Sequence, residues 1–362
     1  MFCAERRKAV LEQIRSHLQE ISCDVFISTH RTHRRYLTKF TGSAGLVWIG
    51  LDSKILVTDF RYTEQAGEQS PDWEIVLLQP TLEETMARLI EEQQVRRIAF
   101  ESEHITVEQL TKWQEKFEAV EFVPTKTWVA QLRQVKTQEE IDKIAAAAKI
   151  TVQALTALVP QIKPGVTEIE LALELEYTMR RLGAEAVAFD PIVGSGPRGA
   201  LPHAIPGDRK IQAGDFIVID MGCVYQGYCS DLTRTFVVGR PDPKQLEIYH
   251  IVLEAQLAAL NALKPGLSGK EVDSVAREII KNAGYDQHFG HSLGHGVGLE
   301  IHEEPRLSQF NEEPLAPGMV VTVEPGIYLP GWGGVRIEDL VVVTEEGCRI
   351  LTELTKELVI IE

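Results

Sequence analysis

The first third of the chain alternates short apolar runs with segments of helical period. Asp24–Ser28, Gly45–Ile49, Lys54–Thr58, Glu74–Leu78, Arg97–Phe100 and Glu121–Val123 are rich in β-branched or aromatic residues and bounded by turn formers, so they read as strands. Ala4–Ile21 and Leu82–Gln93 read as helices. The second opens on Thr81 with Glu84 three residues on, a capping box in which each residue satisfies an otherwise open amide. Strands alternating with helices predict an α/β layer domain over residues 1–130. Nothing in this part has the density of titratable groups that chemistry requires. The basic cluster His30, Arg31, His33, Arg34 and Arg35 reads first as a solvated patch and second as a loop that, in a dimer, lines a partner's active site.

A boundary falls within 125–138, where Thr137 and Glu140 form another capping box and Ile141, Ile144 and Ala148 then repeat at helical spacing. The domain that follows, 137–362, is internally duplicated. Lys163-Pro164-Gly165-Val166-Thr167 recurs as Lys264-Pro265-Gly266-Leu267-Ser268, and each copy opens a helix with its own capping box, Thr167 with Glu170 and Ser268 with Glu271. Both helices stop at a glycine, Gly183 and Gly284, suited to a left-handed cap. The apolar strand Phe216–Ile219 ends at Asp220, and its counterpart Met319–Val323 ends at Glu324. A second carboxylate follows in each copy, Asp231 and Glu338, with glycines between, so each copy reads as a β-hairpin. Each copy also carries an upstream histidine, His203 and His302.

Carboxylates on apolar strands are the anomaly of this sequence. An isolated buried carboxylate is costly, and four at duplicated positions call for a shared counter-charge. His295, flanked by Gly294 and Gly296, adds an imidazole. Four carboxylates and one imidazole form a hard, oxygen-rich set suited to Mn²⁺, Co²⁺, Fe²⁺ or Zn²⁺, unlike a sulfur-rich structural zinc site. Two divalent cations offset four carboxylates, and a metal pair that generates hydroxide and clamps an oxyanion argues for hydrolysis. Cys223 and Cys229, close in sequence to Asp220 and Asp231, read as small strand or turn residues because that set is complete without sulfur. Trp332 reads equally as a turn cap or a pocket wall.

Composition narrows the partners. A net charge of −16 over 362 residues argues against nucleic acid or anionic membrane as the main target. No uninterrupted apolar stretch approaches the ~18 residues of a membrane span, and the first twenty residues lack the apolar core of a secretion signal. Five cysteines without C-x-x-C spacing point to a reducing, cytoplasmic setting.

At these residues the second half resembles the pita-bread metallopeptidases, in the Xaa-Pro branch that holds prolidase and aminopeptidase P. The matching pieces are Ile219-Asp220-Met221-Gly222, Ser230-Asp231-Leu232-Thr233-Arg234-Thr235, His295, Val323-Glu324-Pro325-Gly326 and Val335-Arg336-Ile337-Glu338-Asp339. Tyr36-Leu37-Thr38, Phe40-Thr41-Gly42-Ser43 and Thr58-Asp59-Phe60-Arg61-Tyr62 resemble the creatinase-type N-terminal domain of that branch. The resemblance implies an α/β N-terminal domain, then an α+β pita-bread catalytic domain with a pseudo-two-fold duplication. It implies Asp220, Asp231, His295, Glu324 and Glu338 as ligands of two divalent metal ions, with Mn²⁺ placed first and Co²⁺ or Zn²⁺ behind it. Glu324 then also moves protons, His203, His291 and His302 hold substrate and intermediate, and Arg336 orients the carboxylates. The implied activity is hydrolysis of the Xaa-Pro bond of a proline-containing peptide by a homodimer, dipeptides being favoured. The alternatives are an aminopeptidase P acting on longer chains and a non-catalytic peptide-binding module.

Overall fold

The computed structural model describes residues 2–362, with side chains described from Arg6 onward. The chain divides into two compact units, Met1–Arg133 and Gln134–Glu362. The first is built on a mixed sheet of β1 (Val25–Ser28), β2 (Leu46–Gly50), β3 (Lys54–Thr58), β4 (Glu74–Leu77), β5 (Arg97–Glu101) and β6 (Glu121–Thr125), in the order β4-β3-β2-β1-β5-β6. Central β1 pairs antiparallel with β2 and parallel with β5. Its residues alternate between two cores. Val25 and Ile27 pack with Trp48, Met86 and Trp113, while Phe26 packs with Ile14, Leu18 and Leu37. Burial on both faces explains why β1 reads as an unbroken apolar run.

One expectation fails in this unit. The basic stretch is no solvated patch: Arg31–Thr38 is a helix, and His33, Arg34, Leu37 and Thr38 form its buried face. The Arg34 guanidinium donates to the carbonyls of Gly45 at 2.8 Å, Gly42 at 2.9 Å and Thr29 at 3.2 Å, so its charge is spent on the loop that follows the helix. Burial, helped by the like charge of Arg31, lowers its pKa to about 10. Sequence reading treated these residues as exposed because they are charged; their helical spacing with Leu37 was the stronger signal.

The second unit shows its duplication in hydrogen bonds. Helices Glu168–Arg181 and Gly269–Asn282 begin with the predicted capping boxes and are followed by Gly183 and Gly284 at φ 105° and 88°. Ahead of each, a glycine amide reaches a matching segment: Gly165 N–H donates to Ile211 O and Gly266 N–H to Leu315 O, both at 2.9 Å. Strand Phe216–Met221 pairs antiparallel with Leu232–Val238, and Val320–Val323 pairs antiparallel with Asp339–Val343. Between the latter two the chain inserts a separate ribbon, Gly326–Leu329 against Gly333–Arg336. The first hairpin carries a shorter ribbon at the same place, Cys223–Tyr225 against Tyr228–Cys229, so the second is the longer of the two while its ends remain in register.

Segment Gln138–Gln161 is long and apolar enough to cross a membrane by length and composition. Its residues Ile144, Ala148, Leu155 and Leu158 are instead buried in the cores of this unit. Trp332 packs edge-on against Phe216 at 5.8 Å with Lys244 over its ring, so of its two readings the turn side holds.

Fully buried Asp339 anchors the second hairpin. Its carboxylate accepts from Arg234 at 2.9 Å, Gln256 at 2.7 Å and Thr352 at 3.0 Å, with Lys356 at 3.1 Å. Removing it strands a buried guanidinium one residue from Glu338. Asp339→Ala is expected to lower unfolding free energy by about 3–5 kcal/mol, read from urea unfolding curves.

Candidate metal centre

The two hairpins present their carboxylates to one cavity. Asp220 lies inside its strand, opposite Thr233 on the neighbouring strand. Asp231 immediately precedes Leu232–Val238, Glu324 immediately follows Val320–Val323, and Glu338 immediately precedes Asp339–Val343. Strand ends leave one side chain free of the next pleat, which is where a group can face a cavity without breaking the core. His295 lies on the short strand Gly294–Gly296, where Gly294 N–Cα backbone packs so near Thr322 O that a Cβ would sit 2.0 Å from it. The glycine lets the histidine strand approach its neighbour.

All five predicted ligands line one cavity of about 930 Å³, and His203, His291, His302 and Arg336 line it with them. Ligand atoms of Asp231, His295 and Glu338 fall within 4.8 Å of one another. His295 Nε2 is 3.3 Å from Glu324 Oε1 and 3.5 Å from Asp231 Oδ2. The other ring nitrogen donates to Gly296 O at 3.0 Å, which fixes the tautomer and turns the Nε2 lone pair toward the carboxylates. Thr322 Oγ1 accepts from the His295 amide and donates to Glu324, both at 3.0 Å. Thr233 Oγ1 donates to Glu338 Oε2 at 2.5 Å and accepts from Arg336 Nε at 3.1 Å. Arg336 also holds Asp220 Oδ2 at 2.7 Å.

Electrostatics describe an acidic cage short of positive charge. Burial, then repulsion from Glu338, Asp220 and Glu324, pushes the Asp231 carboxyl well above the ordinary carboxylate range. Glu338 rises for the same reasons, burial first and then Glu324 and Asp220. Burial carries Glu324 to about 7, with Asp220 adding to the rise and Arg336 and Thr322 opposing it. Burial lowers His295 to about 3, leaving the neutral imidazole a metal requires. The donors fit divalent metal on a second count: Asp220 Oδ1 is buried with no hydrogen-bond partner among the described residues. Four carboxylates, one neutral imidazole and one orphaned oxygen make a cation site that Arg336 alone does not fill.

The remaining predicted residues differ in freedom. His302 packs edge-on against His295 at 4.3 Å. His291 has both ring nitrogens engaged: Nδ1–H donates to Ser292 O at 2.8 Å, so Nε2 accepts from the Tyr328 hydroxyl at 2.9 Å. Tyr328 in turn accepts from Arg336 at 2.9 Å, and a directed chain runs from the guanidinium to the imidazole. Sequence reasoning missed Thr233, Thr322, Tyr328 and Arg306. The threonines were legible, since each sits two residues from a ligand and so on the same strand face. Arg306 stands opposite His295 in the adjoining strand and lines the cavity, a relation that only the pairing creates. Cys223 and Cys229 are buried and do not line it; Cys223 donates to Ala147 O.

Fold and site together define a metallopeptidase. The chain matches Metallopeptidase family M24 over residues 142–345 and the Creatinase/Prolidase N-terminal domain over residues 11–135. An Xaa-Pro dipeptidase from Bacillus anthracis superposes with a TM-score of 0.95 at 45% identity, covering 98% of this chain and 99% of that one. The Xaa-Pro dipeptidase of Pyrococcus furiosus is 53% identical over 246 residues, 68% of this chain and 71% of that one. An X-Pro aminopeptidase from Thermotoga maritima superposes with a TM-score of 0.88 at 42% identity, covering 94% of this chain and 98% of that one. This chain belongs to metallopeptidase family M24, in its Xaa-Pro branch, with the creatinase-type N-terminal domain and pita-bread catalytic domain that its motifs imply.

The acidic cage yields a test of opposite signs. Asp231→Asn removes one repelling charge and keeps the shape. In chelator it is expected to melt no lower than wild type; with saturating divalent metal it should melt below it. A metal-stabilised wild type gains about 2.7 kcal/mol at a free metal concentration of roughly 100 Kd, and the variant should lose most of that gain in calorimetry.

Proposed function

We propose that the protein hydrolyses the bond between an N-terminal residue and proline, with dipeptides as its preferred substrates. Similarity to the dipeptidases of Bacillus anthracis and Pyrococcus furiosus supports the bond. The observation that carries the dipeptide preference is Arg306. It lines the cavity beside His295 and His302 and forms no ion pair among the described residues. In a cavity otherwise crowded with carboxylates, an uncommitted guanidinium suits the free carboxylate of a terminal proline, the group that a longer peptide lacks at that position.

An Xaa-Pro bond is a tertiary amide, so its nitrogen offers no proton for recognition and leaves only when protonated. Asp220, Asp231, His295, Glu324 and Glu338 would hold two divalent ions, Mn²⁺ foremost because the donors are mainly hard oxygens. When bound, such ions polarise the scissile carbonyl and provide a water acidic enough to attack at neutral pH. Glu324, held by the Thr322 hydroxyl, takes a proton from that water and delivers it to the proline nitrogen. The hydroxyl stays on the carbonyl carbon and the proton leaves with proline, so one water is consumed per bond. His203 and His302 stand on the same cavity wall and stabilise the developing oxyanion. His291 acts through Tyr328, holding Arg336 and thereby Asp220 in place. The expectation of a homodimer rests on the family resemblance, and that of a cytoplasmic setting on the cysteine usage.

The deciding experiment strips the protein with chelator, restores Mn²⁺ and follows Ala-Pro, Ala-Pro-Ala and Ala-Ala by mass spectrometry. Metal-dependent cleavage of Ala-Pro alone is expected. Equal or faster cleavage of Ala-Pro-Ala makes the protein an aminopeptidase P, and cleavage of neither with metal bound removes the Xaa-Pro assignment. A second expectation separates Arg306 from the chemistry. Arg306→Met should raise KM for Ala-Pro about 10- to 100-fold, as loss of a charged hydrogen-bond partner does, and leave Ala-Pro-amide kinetics within about two-fold. Equal effects on both substrates would show that Arg306 does not read the carboxylate.

A further inference from the structure

Three of the ten histidines in the chain meet in the first unit, away from the carboxylate cage in sequence and function. His30 caps the start of helix Arg31–Thr38, and His33 follows three residues on, on the same side of the first turn. His104 comes from the turn that leaves β5. Rings of His30 and His104 stack at 3.7 Å with planes 13° apart, and His33 stands edge-on to them at 4.5 Å and 5.2 Å. One ring nitrogen from each falls within 4.8 Å of the other two.

The cluster has a built support. Glu101, buried at the end of β5, lies 2.5 Å from His33 Nδ1, and its second oxygen accepts from the Ser28 hydroxyl. With Nδ1–H given to the carboxylate, Nε2 is the donor His33 has left for the cluster. A carboxylate behind a histidine, fixing its tautomer and raising its basicity, is the arrangement that metal-bound histidines use. His33 is buried, His30 half-buried and His104 exposed, so the group opens to solvent on one side. Three imidazoles with one open position match the three-histidine zinc arrangement, in which water completes a tetrahedron. The absence of any directly ligating carboxylate separates this donor set from the oxygen-rich cage and selects the borderline ions, Zn²⁺ before Mn²⁺. Arg31, on the same turn, is exposed, where water and salt weaken its repulsion of a cation.

We infer that His30, His33 and His104 form an additional divalent-metal site of zinc type, which ties the start of helix Arg31–Thr38 to the turn after β5. The bland alternative is a stack of surface imidazoles that share only contact. Two features favour the metal: one ring nitrogen of each histidine lies within 4.8 Å of the other two, and the carboxylate relay sits behind the one buried member.

The test uses the full chain with its catalytic centre loaded with Mn²⁺. Zn²⁺ binding is measured by equilibrium dialysis with elemental analysis on wild type, His104→Ala and Glu101→Gln, each first shown folded by circular dichroism. Exchange of Zn²⁺ into the catalytic centre occurs alike in all three, so the difference between proteins is what is read. Wild type should hold one Zn²⁺ per chain more than His104→Ala at the same free Zn²⁺. Glu101→Gln should need about 10- to 100-fold more free Zn²⁺ to fill that site. Superimposable isotherms for wild type and His104→Ala would overturn the site. An extra Zn²⁺ that Glu101→Gln binds as tightly as wild type would overturn the relay. Because His104 takes no part in the catalytic cavity, peptidase activity of its variant should stay at the wild-type level.

Discussion

Repulsion among Asp220, Asp231, Glu324 and Glu338 is the constraint around which the second unit is organised. A pair of like unit charges ~4 Å apart at an effective dielectric of ~20 costs about 4 kcal/mol, and four carboxylates in one cavity make several such pairs. The protein answers with Arg336 and the hydroxyls of Thr233 and Thr322, each of which touches a different carboxylate. These partners fix direction more than they cancel charge, since Asp231 and Glu338 still sit well above the ordinary carboxylate range through burial and mutual repulsion. What keeps the groups from separating is the frame. Both hairpins are locked by ladders of backbone hydrogen bonds, and Asp339, next to Glu338, is tied down by Arg234, Gln256, Thr352 and Lys356.

Duplication is what makes such a frame economical. One structural unit, a capped helix followed by a hairpin with a carboxylate at the end of its first strand and another at the start of its second, is used twice. Each copy supplies two carboxylates, and symmetry brings four together without any loop having to carry them. The departures from symmetry are where function enters. His295 and its glycines occur in the second copy only, and the second copy's ribbon, Gly326–Leu329 with Gly333–Arg336, is longer than the first copy's Cys223–Tyr225 with Tyr228–Cys229 and delivers Tyr328 and Arg336 to the cavity. On the proposed reading, these asymmetric parts add a substrate-facing side to an otherwise symmetric acidic cage.

This division also explains how far the chain could be read before its structure was known. Capping boxes at Thr81, Thr137, Thr167 and Ser268 are local and were legible, as were the apolar strands and both left-handed glycines. The four carboxylate candidates were legible because the repeat displayed them as two matching pairs. Arg306 and Tyr328 were not, because strand pairing and the inserted ribbon decide where they point. The helix Arg31–Thr38 was misjudged for a different reason: charge was taken as exposure, although both terminal nitrogens of Arg34 donate to carbonyls inside the fold. Nor was a link between His33 and Glu101 visible, since they lie 68 positions apart and meet through the parallel pairing of β1 with β5.

The two clusters answer to opposite electrostatics, and that separates what metal does at each. In the carboxylate cage the donors repel one another, so a cation relieves a cost that the folded chain already carries. Its binding there is coupled to stability by necessity. In the histidine cluster the donors carry no negative charge to repel one another, and the buried Glu101 already has His33 and Ser28 as partners. That cluster tolerates the metal-free state, and a cation gains only what its own coordination provides. On the proposed reading, hard divalent ions suit the cage, while the imidazole group would select an ion with affinity for nitrogen.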